Sequence, residues 1–405
     1  MLIAAGSIAI GQRIRRPGWV ETHGRRIRAC GAGPPPRRAD LDLPDALVVP
    51  GFVEMHAHGG DGASYFSGID ADLLRAAMFH RRHGTTTTLA SLVTAPPGEL
   101  LTAVGALAEA TQAGTVAGIH LEGPWLSPAR CGAHDCEQVR DPEPAEVEAL
   151  LAAGGGAIRM VTLAPERPGA VEAISRLVDA GVIVAVGHTD ASYEQTRQAI
   201  ELGATVGTHI FNAMRPLHHR EPGPALALLE DPRVTVELIA DGVHLHPAVV
   251  RAVIETTGAD RVALVTDATA AAGMSDGQFQ LGAMQIDVVK QVARVRGTST
   301  IAGSTATMTQ LFRTVAGLGP DRDAALAAAV QMTSTTPALA LDLDHVGALR
   351  AGLDANLVVL DRDLQTIAVM SGGDWLTDSH QDTDQLPTPS PTARTNLAIF
   401  LGRLR

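Results

Sequence analysis

The chain has 405 residues, enough for one large barrel-sized domain and a smaller companion. With 45% hydrophobic and 19% charged residues it can bury a sizeable core, which excludes global disorder, and aromatics at 3% leave that core to Ala, Val, Leu and Ile. A formal net charge of −12 argues against a nucleic-acid partner or an anionic membrane surface, while leaving room for a local cationic pocket.

The opening MLIAAGSIAIGQRIRR places its positive charges after the apolar run, the reverse of a signal peptide, and reads as a first β-strand. Residues 1–47 hold short β-like runs broken at Gly24, Gly31, Gly33 and Pro34–Pro36. From Val48 one theme repeats: an apolar β-branched run, a Gly- or His-bearing turn, then an Ala/Leu-rich helical stretch. The expected strands are Val48–His56, Thr85–Leu92, Val116–Leu121, Arg159–Leu163, Val182–Gly187, Thr205–His209, Val234–Ala240 and Arg261–Thr266. Helical periodicity separates them, as at Asp70–His83, Glu143–Ala153, Ala170–Ala180 and Tyr193–Leu202. Eight such alternations predict an α/β fold, a (β/α)8 TIM barrel over 48–345. A doubly wound sheet is the alternative, but no GxGxxG opens a helix. Residues 346–376 read as strands again, so a small β-sandwich domain formed by both chain ends is expected, with 377–405 a disordered Pro/Ser/Thr-rich tail. No apolar stretch reaches about 18 residues, so no membrane span is expected and the location reads as cytoplasmic.

Barrel enzymes carry their chemistry at the C-terminal ends of the strands. Those ends read EMHAH (54–58), HLEGP (120–124), GHTD (187–190), THIFN (208–212), DGVH (241–244) and TDAT (266–269). Each residue alone has a structural explanation: a capping Asp267, a paired Glu122, a hydrogen-bonded rim histidine at 188 or 209. Together, imidazoles and carboxylates on one rim form the ligand set of a divalent metal. Cys30, Cys131 and Cys136 are too few for a disulfide scaffold and have no zinc spacing. Cys131 reads as a small apolar residue on a loop spanning 127–140.

These motifs carry a family resemblance. PGFVEMHAHGGDG (50–62) is similar to the opening of the amidohydrolase superfamily barrel. HLEGPWLSP (120–128), GHTDASY (187–193), THIFNAM (208–214), REPG (220–223), ADGVHL (240–245), LVTDATAAAG (264–273) and IAGSTATM (301–308) follow in the order seen in the N-acetylglucosamine-6-phosphate deacetylase family. VGALRAGLDANLVVLD (346–361) resembles the superfamily's return to its β domain. Superfamily members with a carboxylated lysine bridging two metals need that lysine after strand four. Here Lys290 is the only lysine and lies beyond strand eight, so Glu122 is the remaining bridging carboxylate.

The resemblance implies hydrolysis of N-acetyl-D-glucosamine 6-phosphate to glucosamine 6-phosphate and acetate. It implies Glu122, His188 and His209 as ligands of a main metal and His56 and His58 as holders of a second, one or two per subunit. Zinc is the first choice; iron, manganese and cobalt suit the same donors. Asp267 matches the catalytic acid/base and His134 a loop histidine orienting the acetamide carbonyl. Ala133, Asn212, Ala213, Arg220, His244, Ile301, Ala302 and Gly303 match substrate contacts, with Arg220 offering a bidentate cation to the phosphate. A homodimer is expected by the same analogy. The alternatives are a sibling hydrolase of another N-acyl or cyclic amide, and a metal-free barrel scaffold.

Overall fold

The computed structural model describes residues 1–376; the expected disordered tail at 377–405 lies outside the described residues. Two compact units divide the chain. Among the described residues one comprises Met1–Val53, His80–Thr87 and residues 308–376; the other comprises Glu54–Phe79 and Thr88–Thr307.

In the first unit the chain ends pair in one mixed sheet. Its order is Asp374–Trp375, Thr366–Ser371, Leu357–Leu360, Leu41–Pro50, Leu2–Ile10, Gly18–His23 and Arg26–Ala32, with Arg13–Arg15 added to Leu2–Ile10. Leu2–Ile10 and Leu41–Pro50 run parallel, with Ile3 opposite Leu41; Leu357–Leu360 returns antiparallel, with Val358 opposite Val49. Period-two alternation sends Ile3, Val20, Ile27, Leu43, Val48 and Val359 into a common core. The expected small β domain is therefore present, and what the sequence read as a sandwich is one continuous hydrogen-bonded sheet.

The barrel is an eight-stranded sheet in chain order: Phe52–Glu54, Thr85–Leu92, Gly118–Glu122, Ile158–Leu163, Ile183–Val186, Ala204–Gly207, Thr235–Leu238 and Val262–Leu264. From the second strand to the eighth every neighbouring pair is parallel. These strands are buried on both faces, which is why they read as continuous apolar runs. The seam is closed by the parallel bridge Ala57–Ala268 and by the buried Glu54 carboxylate, which accepts the backbone N–H groups of His56 and Thr266, each at 3.1 Å. Burial pushes Glu54 up to about 8. No helix among the described residues is long and apolar enough to cross a membrane.

Two local readings change. The single strand expected over Val48–His56 is two, Leu41–Pro50 in the small sheet and Phe52–Glu54 in the barrel, hinged at Gly51. Gly51 donates to Asn356 O at 2.9 Å, and a Cβ there would overlap the Thr86 hydroxyl, so the chain turns where only glycine fits. The sequence reading also passed over a three-stranded antiparallel sheet, Gly277–Leu281, Met284–Val289 and Val292–Val295. It packs Leu281, Ile286, Val288 and Ala293 against Val93, Ala133, Ala271 and Ala302.

Gly51→Ala is expected to lower stability by about 1–3 kcal/mol through overpacking at this hinge. Urea denaturation measures it; an unchanged midpoint would show that the hinge has slack.

Candidate metal centre

His56 and His58 lie two residues apart just past the first barrel strand, so both imidazoles leave one face. Glu122 is the last residue of its strand. His188, His209 and Asp267 follow the ends of theirs with φ of 46°, 25° and 48°, the left-handed region that L-residues adopt at a cost. Continued as strand, those segments would alternate their side chains across the sheet; the left-handed turn re-aims each one. All six are buried, as is His134 from the 127–140 loop.

Glu122 is the hub. Its Oε1 lies 3.0 Å from His188 Nε2, 2.9 Å from His209 Nε2 and 3.4 Å from His56 Nε2. Its Oε2 lies 3.1 Å from His58 Nε2 and 3.3 Å from His134 Nε2. Asp267 Oδ1 faces His58 Nε2 at 3.2 Å and His56 Nε2 at 3.6 Å.

Hydrogen bonds on the far ring nitrogens sort these histidines by tautomer. His56 Nδ1 donates to Glu237 Oε2 (3.0 Å), His58 Nδ1 to Ser91 O (3.2 Å) and His188 Nδ1 to Arg130 O (2.9 Å). Carbonyls and carboxylates only accept, so in each neutral ring the Nε2 lone pair is left facing the cluster. His134 is reversed. The Thr94 backbone N–H donates to its Nδ1 at 3.1 Å, so its Nε2 carries the hydrogen and points inward as a donor. By distance Glu122, His134 and His188 could also share an ion, but this tautomer removes His134 from the ligand set.

The donor set fits a divalent cation. Lone pairs on His56 Nε2 and His58 Nε2 meet at 3.2 Å, which is repulsive unless a proton or cation lies between them, and the Nε2 atoms of His188 and His209 stand 3.1 Å apart. Tetrahedral ligands at about 2.0–2.1 Å from an ion are about 3.3 Å apart, close to these spacings. Without an ion, protons balance the buried carboxylates. Burial alone would lower His58, but hydrogen bonds to Asp267 and Glu122 outweigh it and lift the ring to about 9. His56 is raised well above its usual range against the same burial, by Glu122, Glu237 and Asp267. Burial would raise Asp267, yet His56 and His58 hold it down at about 2, and Glu122 is likewise held well below the carboxylate range. Burial and the neighbouring His188 push His134 down to about 4, so it is a neutral donor.

The other expected residues are not members of this cluster. Asn212 Nδ2 donates to His209 O (3.0 Å), and Ala213 has φ 48°, so both shape the turn that aims His209. Ala133 and Ala302 are packed into the apolar cluster beneath the three-stranded sheet. Gly303 has φ 58°, and a Cβ there would come within 2.6 Å of Asp267 O, so its neighbourhood to Asp267 requires glycine; Ile301 is two residues before it. His244 Nδ1 donates to Asp241 Oδ2 (2.8 Å), which raises the imidazole against the effect of its burial. Arg220 is exposed, its guanidinium 2.9 Å from His219 Nε2. Lys290 sits in an exposed hairpin turn, and the end of strand four presents Thr162, bonded to His120 and Thr208.

Sequence reading missed three features. Glu237, wholly buried, accepts from both His56 Nδ1 and the His209 backbone N–H (3.2 Å), tying the two halves of the cluster together; its signal was a lone carboxylate inside the apolar run VTVELIA. Glu166 accepts from Asp190 N and Thr189 Oγ1 and holds the turn after His188. Cys131 and Cys136, read as unlinked, form a disulfide across five positions. The correction is local: it is a clasp on one loop, not a scaffold.

The Amidohydrolase family model matches residues 47–376. An N-acetylgalactosamine-6-phosphate deacetylase of Escherichia coli O157:H7 is 37% identical over 86% of this chain and 93% of its own length. An N-acetylglucosamine-6-phosphate deacetylase of Lysinibacillus sphaericus is 34% identical over 78% and 82%. The solved N-acetyl-D-glucosamine-6-phosphate deacetylase of Mycobacterium smegmatis, a mutant in complex with N-acetyl-D-glucosamine 6-phosphate, superposes with a TM-score of 0.91 at 56% identity over 93% of this chain and 98% of that one.

Glu237→Gln is expected to lower metal affinity about 10- to 100-fold, because the charge that strengthens His56 as a ligand is lost. Competition against a chromogenic chelator reads this, and unchanged affinity would reduce Glu237 to core packing. Metal uptake by chelator-stripped protein should release protons near pH 7 and fewer near pH 10, since His58 loses its proton through about 9. Equal release at both would mean the imidazoles are already neutral.

Proposed function

The chain belongs to the amidohydrolase family, and from that premise we propose that it hydrolyses N-acetyl-D-glucosamine 6-phosphate to D-glucosamine 6-phosphate and acetate. The observation that carries the reading is the inward Nε2–H of His134 beside Glu122, the carboxylate that also gathers the Nε2 atoms of the other cluster histidines next to Asp267. Amide hydrolysis needs a polariser for the acyl oxygen, a base for water and an acid for the amine, and these groups supply all three.

Glu122, His188 and His209 would hold one divalent ion, and His56 and His58 with Glu122 and Asp267 a second; zinc is the ion these donors suit first. Bound there, it supplies Lewis acidity and can acidify water to a pKa of about 7. His134, neutral and fixed by Thr94, donates Nε2–H to the acyl oxygen as negative charge develops on it. Asp267, ionised at neutral pH, takes the proton of the attacking water and delivers it to the departing nitrogen, which leaves as an amine rather than an amide anion. Arg220 and His244 would take the phosphate, and Asn212, Ala213, Ala133 and Ile301–Gly303 would frame the sugar. The guanidinium of Arg220 is exposed and free of any carboxylate among the described residues, as a phosphate ligand must be. A homodimer and a cytoplasmic location complete the proposal.

The relative acting on the galacto sugar makes epimer choice the second question. Acetate release should be fast with the gluco 6-phosphate, slower with its galacto epimer and weakest with unphosphorylated N-acetylglucosamine. Asp267→Asn should lower kcat about 10²- to 10⁴-fold. No turnover by metal-loaded protein would move the reading to another N-acyl or cyclic amide.

A further inference from the structure

Around His134 the loop is held in two different ways. Its flanks are pinned by charge: Arg130 Nε donates to Asp190 Oδ1 at 2.9 Å, and Arg140 pairs with Glu146 at 2.6 Å while its Nη1 donates to Ala95 O at 2.9 Å. Between those anchors, residues 131–136 are closed by the Cys131–Cys136 bond, with His134 inside the ring. Within the ring, His134 N donates to Cys131 O at 3.0 Å and His134 Nδ1 accepts from Thr94. Cys136 is exposed and Cys131 half-buried, so a small molecule can reach the bond. A six-residue ring adds little to the stability of a core this size. What it restricts is the backbone that delivers His134 to Glu122.

We propose that Cys131 and Cys136 form a thiol–disulfide exchange site for low-molecular-weight disulfides, and that the closed bond holds His134 in place. In the forward direction the Cys136 thiolate attacks one sulfur of RSSR, giving a mixed disulfide and releasing RS⁻. The Cys131 thiolate then attacks the Cys136 sulfur, closing the ring and releasing the second RS⁻. Two thiol protons pass to the two leaving thiolates, and two electrons pass from the protein to RSSR; a dithiol reverses both steps. The consequence for turnover rests on the deacetylase reading, with His134 acting as a positioned donor.

The test equilibrates the metal-loaded full chain in glutathione buffers of varied reduced-to-oxidised ratio. Alkylation with intact-mass and peptide analysis follows the cysteines, alongside acetate release and hydrogen exchange at the His134 amide. Cys131 and Cys136 should change labelling together and Cys30 independently. Reduction should lower kcat about tenfold with KM nearly constant and speed exchange at His134. The C131S/C136S double variant should match the reduced protein at every ratio, with metal content retained. His134→Ala should be slow and indifferent to the buffer. A constant kcat and constant exchange while mass shows the bond opening would overturn the positioning claim. Failure of the two cysteines to pair in oxidised buffer would overturn the site. If no acetate is released in either state, the deacetylase reading fails, and labelling with hydrogen exchange still decides this one.

Discussion

Glu122 is buried at a strand end with the Nε2 atoms of five histidines, from four separate segments, within 3.4 Å of its two oxygens. An ionised carboxylate in that position is strongly disfavoured unless positive charge or hydrogen-bond donors surround it. Everything nearby can be understood as meeting that condition. His56 and His58 are drawn toward their charged forms, Asp267 is kept ionised beside them, and His134 turns its N–H rather than its lone pair inward. A divalent ion meets the same condition more compactly than protons do. The electrostatics of folding and of ligand capture are therefore one problem at this site.

Geometry is supplied by the barrel and corrected at its rim. Parallel strands bring distant residues to one end, but a strand alternates its side chains and cannot aim them all inward. Left-handed φ at His188, His209 and Asp267 makes the correction, and the backbone cost is met by local bonds. Asn212 closes the turn at His209, Ser304 N donates to Asp267 O at 2.7 Å, and Arg130 O and Ser127 N bracket His188. Glu54 performs the matching task at the seam, where the first and last strands need a common acceptor.

The loop at 127–140 belongs to both sides of the site. Through Arg130 O it fixes the tautomer of a ligand histidine, and through His134 it contributes a donor of the opposite tautomer. Its two charged anchors and its disulfide are separate restraints on one short segment. The adjoining three-stranded sheet, by packing on Ala133 and Ala302, gives that segment a solid floor.

Much of this was legible in the chain. An HxH on extended backbone must share a face, eight alternations of apolar run and helix without a GxGxxG turn point to a barrel over a doubly wound sheet, and a single lysine at 290 cannot serve the end of strand four. Those conclusions depend on residue type and short-range period, which sequence carries directly. The role of Glu237, 181 residues from its partner His56, was not legible, nor was the break at Gly51 or the tautomer of each histidine. The Cys131–Cys136 bond was not legible either, because spacing alone does not say where two sulfurs point. These were decided only when segments far apart in the chain met, since a hydrogen-bond partner, a steric overlap and a left-handed turn are properties of contacts and not of composition.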